Sequence, residues 1–169
     1  MPNANPMQQI FVEKVVLHAT TSDQEKLEKY RKLLEYITNR KPVLTKAKKR
    51  IQAFKIRRGL PIGYKVTLRK KHAIEILKIL LAGVKHQLSK KQVDKGVINF
   101  GIKEYITLPG IDYRRDIGIL GFDVSVVLAK KGKRVIYRKR CKSKIGKRQQ
   151  VTTQEAIEFM EKNFGVKFV

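Results

Sequence analysis

The stretch Gly63-Tyr64-Lys65-Val66-Thr67-Leu68-Arg69 alternates between apolar and polar side chains along its whole length. This period of two predicts a β-strand, because successive side chains of a strand point to opposite faces. We therefore expect an apolar face toward a core, formed by Tyr64, Val66 and Leu68. The opposite, cationic face should point to solvent and carry Lys65, Thr67 and Arg69.

The residues before this strand predict a basic hairpin. Residues 54–62 (F-K-I-R-R-G-L-P-I) are typical of the arm and tip of a hairpin, and Gly59 and Pro61 suit its turn. Upstream, residues 43–54 alternate short apolar pieces with the cations Lys46, Lys48, Lys49 and Arg50. This interleaving is unlike a disordered basic tail.

Outside this hairpin, the sequence predicts two helices and three further strands before the carboxy-terminal part. Ser22 and Glu25 predict a capping box at the start of the first helix, which Asn39 and Pro42 should end. Apolar spacing predicts helices over residues 22–37 and 72–88, and β-branched or alternating runs predict strands over 10–17, 97–108 and 120–128.

The carboxy-terminal part combines a basic segment, residues 130–148, with a helix. We expect the segment to prolong the preceding strand as a basic hairpin and to become irregular near Ser143 and Gly146. Thr152 and Glu155 predict a second capping box, opening a helix over 153–164 that Gly165 ends. The order of elements predicts an α+β fold, with an antiparallel sheet and helices packed against it, in a single domain, residues 1–169, with a projecting basic hairpin.

The charge restricts the partners. The 169 residues include 39 Lys and Arg against 14 Asp and Glu, a net charge of +25. Such a chain requires a polyanion, either a phosphate backbone or an acidic membrane. No apolar run approaches the roughly 18 residues of a spanning helix, and the start, Met1 to Pro6, lacks the features of a signal peptide. We expect a cytoplasmic protein without a membrane partner.

The cations are concentrated in two windows without acidic residues. Residues 36–74 contain thirteen Lys and Arg, and residues 124–154 contain eleven. The second window supplies a second basic patch, formed by Lys130, Lys131, Lys133, Arg134, Arg138, Lys139, Arg140, Lys142, Lys144, Lys147 and Arg148. A solvated basic tail is the alternative interpretation of this second window.

No group of residues predicts catalysis, a metal or a cofactor. The histidines, His18, His72 and His86, have no partner at metal-ligand spacing, and Walker, Rossmann and zinc-protease motifs are absent. The lone Cys141 is either a reactive thiol among cations or a thiol that is buried or merely incidental. The carboxylates Asp112, Asp116 and Asp123 could form a magnesium cluster. The arginines between them instead favour turn-forming, ion-paired roles for these carboxylates.

RNA suits the cations better than DNA, because they lie on predicted strands and loops and not on a helix that would enter the major groove. We expect phosphate contacts from Lys46, Lys48, Lys49, Arg50, Lys65 and Arg69. Thr67 suits a ribose or base edge, and Phe54 suits either base stacking or a core. A DNA-binding chromosomal protein and an RNA-modifying enzyme are the alternative functions.

Four ordered segments resemble the universal large-subunit ribosomal protein family numbered five in bacteria and eleven in eukaryotes. They are residues 41–49 (K-P-V-L-T-K-A-K-K), 54–69 (F-K-I-R-R-G-L-P-I-G-Y-K-V-T-L-R), 99–104 (N-F-G-I-K-E) and 109–113 (P-G-I-D-Y), and Asn5-Pro6-Met7 matches the family's start. The basic segment and final helix resemble the archaeal and eukaryotic branch.

The resemblance implies a non-catalytic structural role in the cytoplasmic ribosome. It implies binding of 5S rRNA and its docking to large-subunit rRNA in the central protuberance. It also implies a contact with a neighbouring protein of the small-subunit head, and a hairpin tip directed at P-site tRNA through Lys55, Arg57, Arg58 and Gly59. His18 and Arg40 lie near the family's 5S contact surface but replace the Asn and Gln common there, so their contacts are expected to differ in detail.

Overall fold

The computed structural model describes residues 5–169, so the predicted absence of a leader falls partly on residues outside this range. The helices are α1 (Gln24–Thr38), α2 (Lys70–Gly83), α3 (Arg134–Tyr137) and α4 (Thr153–Phe164). The strands are β1 (Ile10–Thr20), β2 (Val43–Lys46), β3 (Pro61–Leu68), β4 (Gln87–Leu88), β5 (Val93–Asp94), β6 (Val97–Ile102), β7 (Phe122–Lys130) and β8 (Lys167–Phe168). No helix within residues 5–169 is long and apolar enough to cross a membrane.

Six strands form one sheet in the order β2-β3-β1-β7-β6-β5. The β2–β3 and β5–β6 pairs are antiparallel, whereas β4 and β8 form a separate two-stranded parallel sheet. The predicted α+β class with an antiparallel sheet is confirmed.

The chain divides into two compact units, each built from separate stretches of sequence. The hairpin unit comprises Val16–Leu68 and Gly101–Val124. The basic-segment unit comprises residues 5–15, Arg69–Phe100 and Ser125–Val169. The single-domain interpretation of residues 1–169 stays a prediction.

The core of the hairpin unit forms where α1 packs against β3. Leu33 and Leu34 of α1 and Leu68 of β3 are fully buried, and Val66 is nearly so. Burying a leucine side chain contributes about 1.5–3 kcal/mol, so these side chains hold the helix on the sheet. The predicted apolar face of the strand is confirmed at Val66 and Leu68, while Tyr64 is half-buried.

The predicted capping box at the start of α1 is wrong. Asp23 is the N-cap, and its side chain makes no capping hydrogen bond. Glu25 consequently occupies the second helical position, where it cannot complete a box that needs the third. The Asp23 carboxylate instead lies 3.0 Å from the Nζ of Lys26. At the other end, the predicted stop is confirmed, because Asn39 adopts the left-handed conformation that ends a helix.

The core of the basic-segment unit lies between its helices and its part of the sheet. Leu77, Leu80 and Leu81 of α2 and Met160 of α4 are fully buried. The second predicted capping box is confirmed, since Thr152 accepts a hydrogen bond from the Glu155 amide and the Glu155 carboxylate accepts one from the Thr152 amide. Gly165 ends α4 in the left-handed conformation, as predicted.

Two predicted elements are shorter than expected. The second helix ends at Gly83, because Lys85 and His86 have φ near +55° and Leu88 then belongs to β4. The strand predicted over 97–108 ends at Ile102. A Cβ at Gly121 would lie 2.6 Å from the carbonyl oxygen of Ile102, so the two backbones are in close contact at this strand end.

The basic segment is not a hairpin. After β7 ends at Lys130, the chain forms a turn, the short helix α3 and a 3₁₀ turn at Lys147–Gln149. The side-chain amide of Gln149 donates to the carbonyls of Met7 and Lys131, 2.9 and 2.8 Å away. These bonds fold the segment back and prevent it from continuing as a strand.

Candidate nucleic-acid interface

The outer face of β3 is polar and open. Lys65 and Thr67 are exposed on this strand, and Arg69 is exposed directly after it. Arg69 is the N-cap of α2, but its guanidinium has no acceptor with which to cap the helix, and it makes no capping hydrogen bond. The predicted assignment of these side chains to the solvent face is therefore confirmed, and the role predicted for them is open to test.

The hairpin formed by β2 and β3 carries a long connection, residues 47–60, here called the tip loop. The register pairs Val43 with Lys65 and is interrupted by an irregularity at Thr45 and Lys46. The base of the loop is closed by two backbone hydrogen bonds, from the Ala47 amide to the Leu60 carbonyl and from the Gly59 amide to the Ala47 carbonyl. The tip loop is thus an ordered connection at its base.

The turn lies elsewhere than predicted. Ile51 and Ile56 form a bridge, so the tightest part of the loop is residues 52–55, and Pro61 already belongs to β3. Gly59 has a φ of +87°, which strains any residue with a side chain. Gly59 lies in a separate turn, closed by a hydrogen bond from the Leu60 amide to the Arg57 carbonyl, and its predicted turn role is confirmed there. The turn role predicted for Pro61 is wrong, because Pro61 begins β3, and a proline is tolerated at the first position of a strand.

The tip loop brings together two groups of cations that the sequence assigned to different RNAs. Lys48, Lys49 and Arg50 precede the Ile51–Ile56 bridge, while Arg57 and Arg58 follow it. All five are exposed, as are Lys46 before the loop and Lys55 in the turn itself. Because residues 36–74 contain no carboxylate, no neighbour in sequence neutralises them. The loop is a continuous cationic surface with two arms.

An aromatic ring projects from this cationic surface. Phe54 is 67% exposed and lies in the turn, one residue before Lys55, whose φ is +55°. The sequence left Phe54 open between base stacking and a core role, and its exposure excludes the core. An exposed ring beside cations suits stacking on an unpaired base.

His18 and Arg40 lie in the same unit, and both are accessible. The Nε2 of His18 is 3.7 Å from a carboxylate oxygen of Asp123, so a protonated His18 would form a salt bridge there. Arg40 is exposed directly after the C-cap of α1. Asp123 places one negative charge beside His18, which distinguishes this position from the purely cationic tip loop.

Close approach of the strands explains one glycine in this face. A Cβ at Gly63 would lie 2.5 Å from the carbonyl oxygen of Ala19 on β1. Only glycine permits this close approach of β3 to β1, because 2.5 Å is far inside van der Waals contact. Gly63 thus positions β3, and the sequence had given it no such role.

The three candidate magnesium carboxylates do not converge. Within the described residues, no group of three His, Cys, Asp or Glu side chains is arranged to hold a metal. The expected ion pairing is wrong for Asp112 and Asp116, which form no salt bridge within residues 5–169, whereas Asp123 lies 3.7 Å from His18. Arg114 instead stacks on the Tyr36 ring, 3.9 Å from its centroid, and donates its amide to the Tyr105 hydroxyl at 2.9 Å. Aromatic residues therefore hold this loop.

Two lysines of the second basic patch are directed inward. Lys130 is only 7% exposed, and its Nζ lies 2.7 Å from the Glu155 carboxylate and 3.4 Å from the Gln150 carbonyl. Lys133 pairs with Glu13 of β1 at 2.5 Å, and the Tyr137 hydroxyl donates to the same carboxylate at 3.0 Å. These two cations stabilise the protein itself, so we remove them from the predicted phosphate contacts.

The pKa shifts agree with this pairing. Burial raises the pKa of Glu13, but hydrogen bonds from Lys133 and Tyr137 outweigh burial and lower its pKa overall. Burial lowers the pKa of Lys133, but its bond to Glu13 raises that pKa overall. Glu155 behaves like Glu13, with the bonds from Lys130 and the Thr152 amide lowering its pKa against the effect of burial.

The other nine cations of the patch are exposed: Lys131, Arg134, Arg138, Lys139, Arg140, Lys142, Lys144, Lys147 and Arg148. Arg138 donates its Nε to the Cys141 carbonyl at 2.7 Å. Cys141 is exposed, which removes the buried-thiol alternative. Because the segment is held by bonds to Glu13 and Met7, the basic-tail alternative is also wrong.

Sequence reasoning missed Glu13 and Glu155 as anchors of the basic segment. The only signal at Glu13 was its position as the lone carboxylate of its strand, while Glu155 was assigned only to the capping box. We expect Glu13→Gln to destabilise the protein by about 1.5–3 kcal/mol at neutral pH, the worth of hydrogen bonds to a charged group. The expected loss is measured by urea unfolding.

The pH dependence has a defined sign. A lowered carboxyl pKa gives stability that is present above the ordinary value of 4.5 and is lost as the pH falls through the folded-state value. Because its pKa is raised, Lys133 stays charged above its ordinary value of 10.5, so the ion pair is lost at high pH only when the pH rises through the folded-state pKa of Lys133. The difference between wild type and Glu13→Gln should therefore shrink below pH 4.5, and a difference independent of pH would contradict the pairing.

Comparison with known proteins agrees with these features. The family model described as "Ribosomal protein L5" matches residues 5–57, and a second model, which describes the carboxy-terminal part of the same ribosomal family, matches residues 61–166. A relative from Pyrobaculum aerophilum, named large ribosomal subunit protein uL5, is 48% identical over 96% of this chain and 92% of its own. Relatives of the same name from Sulfolobus acidocaldarius and Archaeoglobus fulgidus are 41% and 42% identical, over 96% and 94% of this chain and 92% and 90% of theirs. The chain belongs to the ribosomal protein L5 family, in its archaeal and eukaryotic-type branch.

Proposed function

We propose that this chain binds 5S rRNA and docks it onto large-subunit rRNA in the central protuberance. As a member of its family, the chain is a structural protein of the large ribosomal subunit in the cytoplasm and not an enzyme. The observation that carries the finer proposal is the outer face of β3, where Lys65, Thr67 and Arg69 are exposed above a buried apolar face.

The chemistry of this face fits a folded RNA. Lys65 and Arg69 offer charge to phosphates, and the hydroxyl of Thr67 between them offers a hydrogen bond to a ribose or base edge. We propose that Arg40 and His18 also contact this RNA. The Asp123 carboxylate lies 3.7 Å from His18 Nε2. Of the cations in the two windows, only Lys70 and Lys71 lie on a long helix, at the start of α2, which disfavours the alternative of a groove-reading DNA-binding protein.

The double variant Lys65→Ala/Arg69→Ala tests this proposal. We expect its affinity for 5S rRNA to fall on the order of tenfold at low salt, since two phosphate contacts are lost. Stability should change by less than about 0.5 kcal/mol, because neither side chain is buried. Filter binding with purified 5S rRNA and a melting curve give the two readouts.

The matched control is Lys90→Ala/Lys91→Ala, which removes the same charge from exposed positions in the basic-segment unit. If the control weakens 5S binding as much as the test variant, the effect comes from net charge and the β3 face is not the site.

We also propose that the tip loop is directed at P-site tRNA through Lys55, Arg57, Arg58 and Gly59. Gly59 shapes the turn, and the exposed cations after the Ile51–Ile56 bridge supply charge. Exposed Phe54 adds a stacking surface to the same tip.

We further propose a contact with a protein of the small-subunit head. The exposed apolar side chains of Tyr113 and Ile119 suit a protein partner.

Arg57→Ala/Arg58→Ala should weaken retention of P-site tRNA on assembled ribosomes about tenfold, equivalent to about 1.4 kcal/mol for the two arginines. Binding of 5S rRNA should stay within twofold of the Lys90→Ala/Lys91→Ala control. Loss of 5S binding with normal tRNA retention would assign the whole tip loop to the rRNA surface.

A further inference from the structure

The basic-segment unit contains a cavity of about 530 Å³ that is separate from the surfaces proposed above. Its apolar wall includes Leu128 of β7, Ile136 of α3 and Ile145. Its cationic rim includes Lys95, Lys142 and Lys144, and no carboxylate lines it. A cavity that joins an apolar wall to a cationic rim matches a ligand with a flat apolar part and an anionic part.

The charges of this cavity are unevenly available. Lys130 and Lys133 also line it, but both are already paired, with Glu155 and with Glu13. Lys142 and Lys144 are exposed and make no ion pair among the described residues. The unpaired charge is therefore carried by exposed side chains, while the paired charge is carried by buried or half-buried ones.

The polar groups of the cavity fit the edge of a base. Gln149 uses both hydrogens of its side-chain amide on the Met7 and Lys131 carbonyls, which fixes the amide and leaves its oxygen as an acceptor. Ser143 lines the same wall and offers a hydroxyl. A fixed acceptor beside aliphatic side chains is a means of recognising a base edge without an aromatic stack.

We propose that this cavity receives a single unstacked nucleotide of ribosomal RNA, with the base against Ile136 and Ile145 and the phosphate at Lys142 and Lys144. The proposal rests on the RNA-binding function given above and adds a site to it. Sequence-specific recognition of RNA targets bases that are turned out of the stack, and a pocket of this size holds one nucleotide. RNA is favoured over an acidic peptide because the segment that lines the cavity exposes nine cations in all, and the seven of these that do not line it suit the further phosphates of a polynucleotide.

The first experiment uses the full-length protein with ¹³C-labelled isoleucine methyl groups. A tetraribonucleotide is titrated in, and inorganic tripolyphosphate serves as an anion of similar charge without bases. We expect saturable shifts of the Ile136 and Ile145 signals, with the tetraribonucleotide binding at least tenfold more tightly than tripolyphosphate. Equal affinity for the two probes, or unchanged methyl signals, would overturn the base site.

Two pairs of variants locate the site. Lys142→Ala/Lys144→Ala should weaken tetraribonucleotide binding about tenfold, whereas Lys139→Ala/Arg140→Ala, which removes equal charge outside the cavity, should leave it within threefold. Ser143→Trp should fill the cavity and abolish the methyl shifts, and the exposed, neutral Gln154→Trp should not. If Lys139→Ala/Arg140→Ala weakens binding equally, the segment acts as a diffuse cationic surface.

The failure of this proposal is distinguishable from failure of the main one. Lys65→Ala/Arg69→Ala tests 5S rRNA binding at β3 and should leave the methyl shifts of Ile136 and Ile145 unchanged. Normal 5S binding without methyl shifts would remove only the cavity site. A synthetic acidic peptide that displaces the tetraribonucleotide and binds more tightly would reassign the cavity to a protein partner.

Discussion

Raising the salt concentration from 50 to 200 mM is expected to weaken the binding of 5S rRNA by about 10³–10⁵-fold, for six to ten phosphate contacts. The hairpin unit alone exposes six candidate cations: Arg40, Lys46, Lys48, Lys49, Arg50 and Lys65. Arg69, which directly follows β3, is exposed as well. Each contact releases condensed counterions, so the logarithm of the affinity should fall linearly with the logarithm of the salt concentration.

The slope identifies which lysines touch phosphate. Lys65→Ala/Arg69→Ala should reduce the slope by about two, because each contact contributes about 0.9. Lys130→Ala should leave the slope unchanged, since Lys130 is buried and paired with Glu155. A nearly flat salt response of the wild type would mean that the cationic surfaces are not where RNA binds.

Leu68→Ala is expected to destabilise the protein by about 2–5 kcal/mol, the usual result of truncating a fully buried leucine. Leu68 has no exposed surface and lies on the core side of β3. Lys65→Ala on the outer face of the same strand is the matched control, with an expected change below about 0.5 kcal/mol. Urea unfolding at constant ionic strength measures both.

The order of the two variants should reverse when RNA binding is measured in place of stability. At a temperature where both are folded, Leu68→Ala should bind 5S rRNA nearly as the wild type does, whereas Lys65→Ala should bind more weakly. If both variants lost stability to the same extent, the assignment of the faces of β3 would be wrong.

The cationic outer face of β3 was predictable from the sequence, because side-chain alternation along a strand depends only on local geometry. The same holds for α4, whose bounds follow from the Thr152–Glu155 capping box and Gly165. Both features need only residues that are close in sequence. The acid-free windows likewise gave the positions of the cations without any knowledge of the fold.

The use of those cations was decided by contacts across long stretches of chain. Lys133 meets Glu13 and Gln149 meets Met7, separated by 120 and 142 positions. These contacts turn a predicted hairpin into a folded segment, and pairing with Glu13 and Glu155 withdraws Lys133 and Lys130, respectively, from the predicted RNA surface. Local patterns report which face a side chain occupies, but whether its charge is already paired depends on residues that only the tertiary fold brings near.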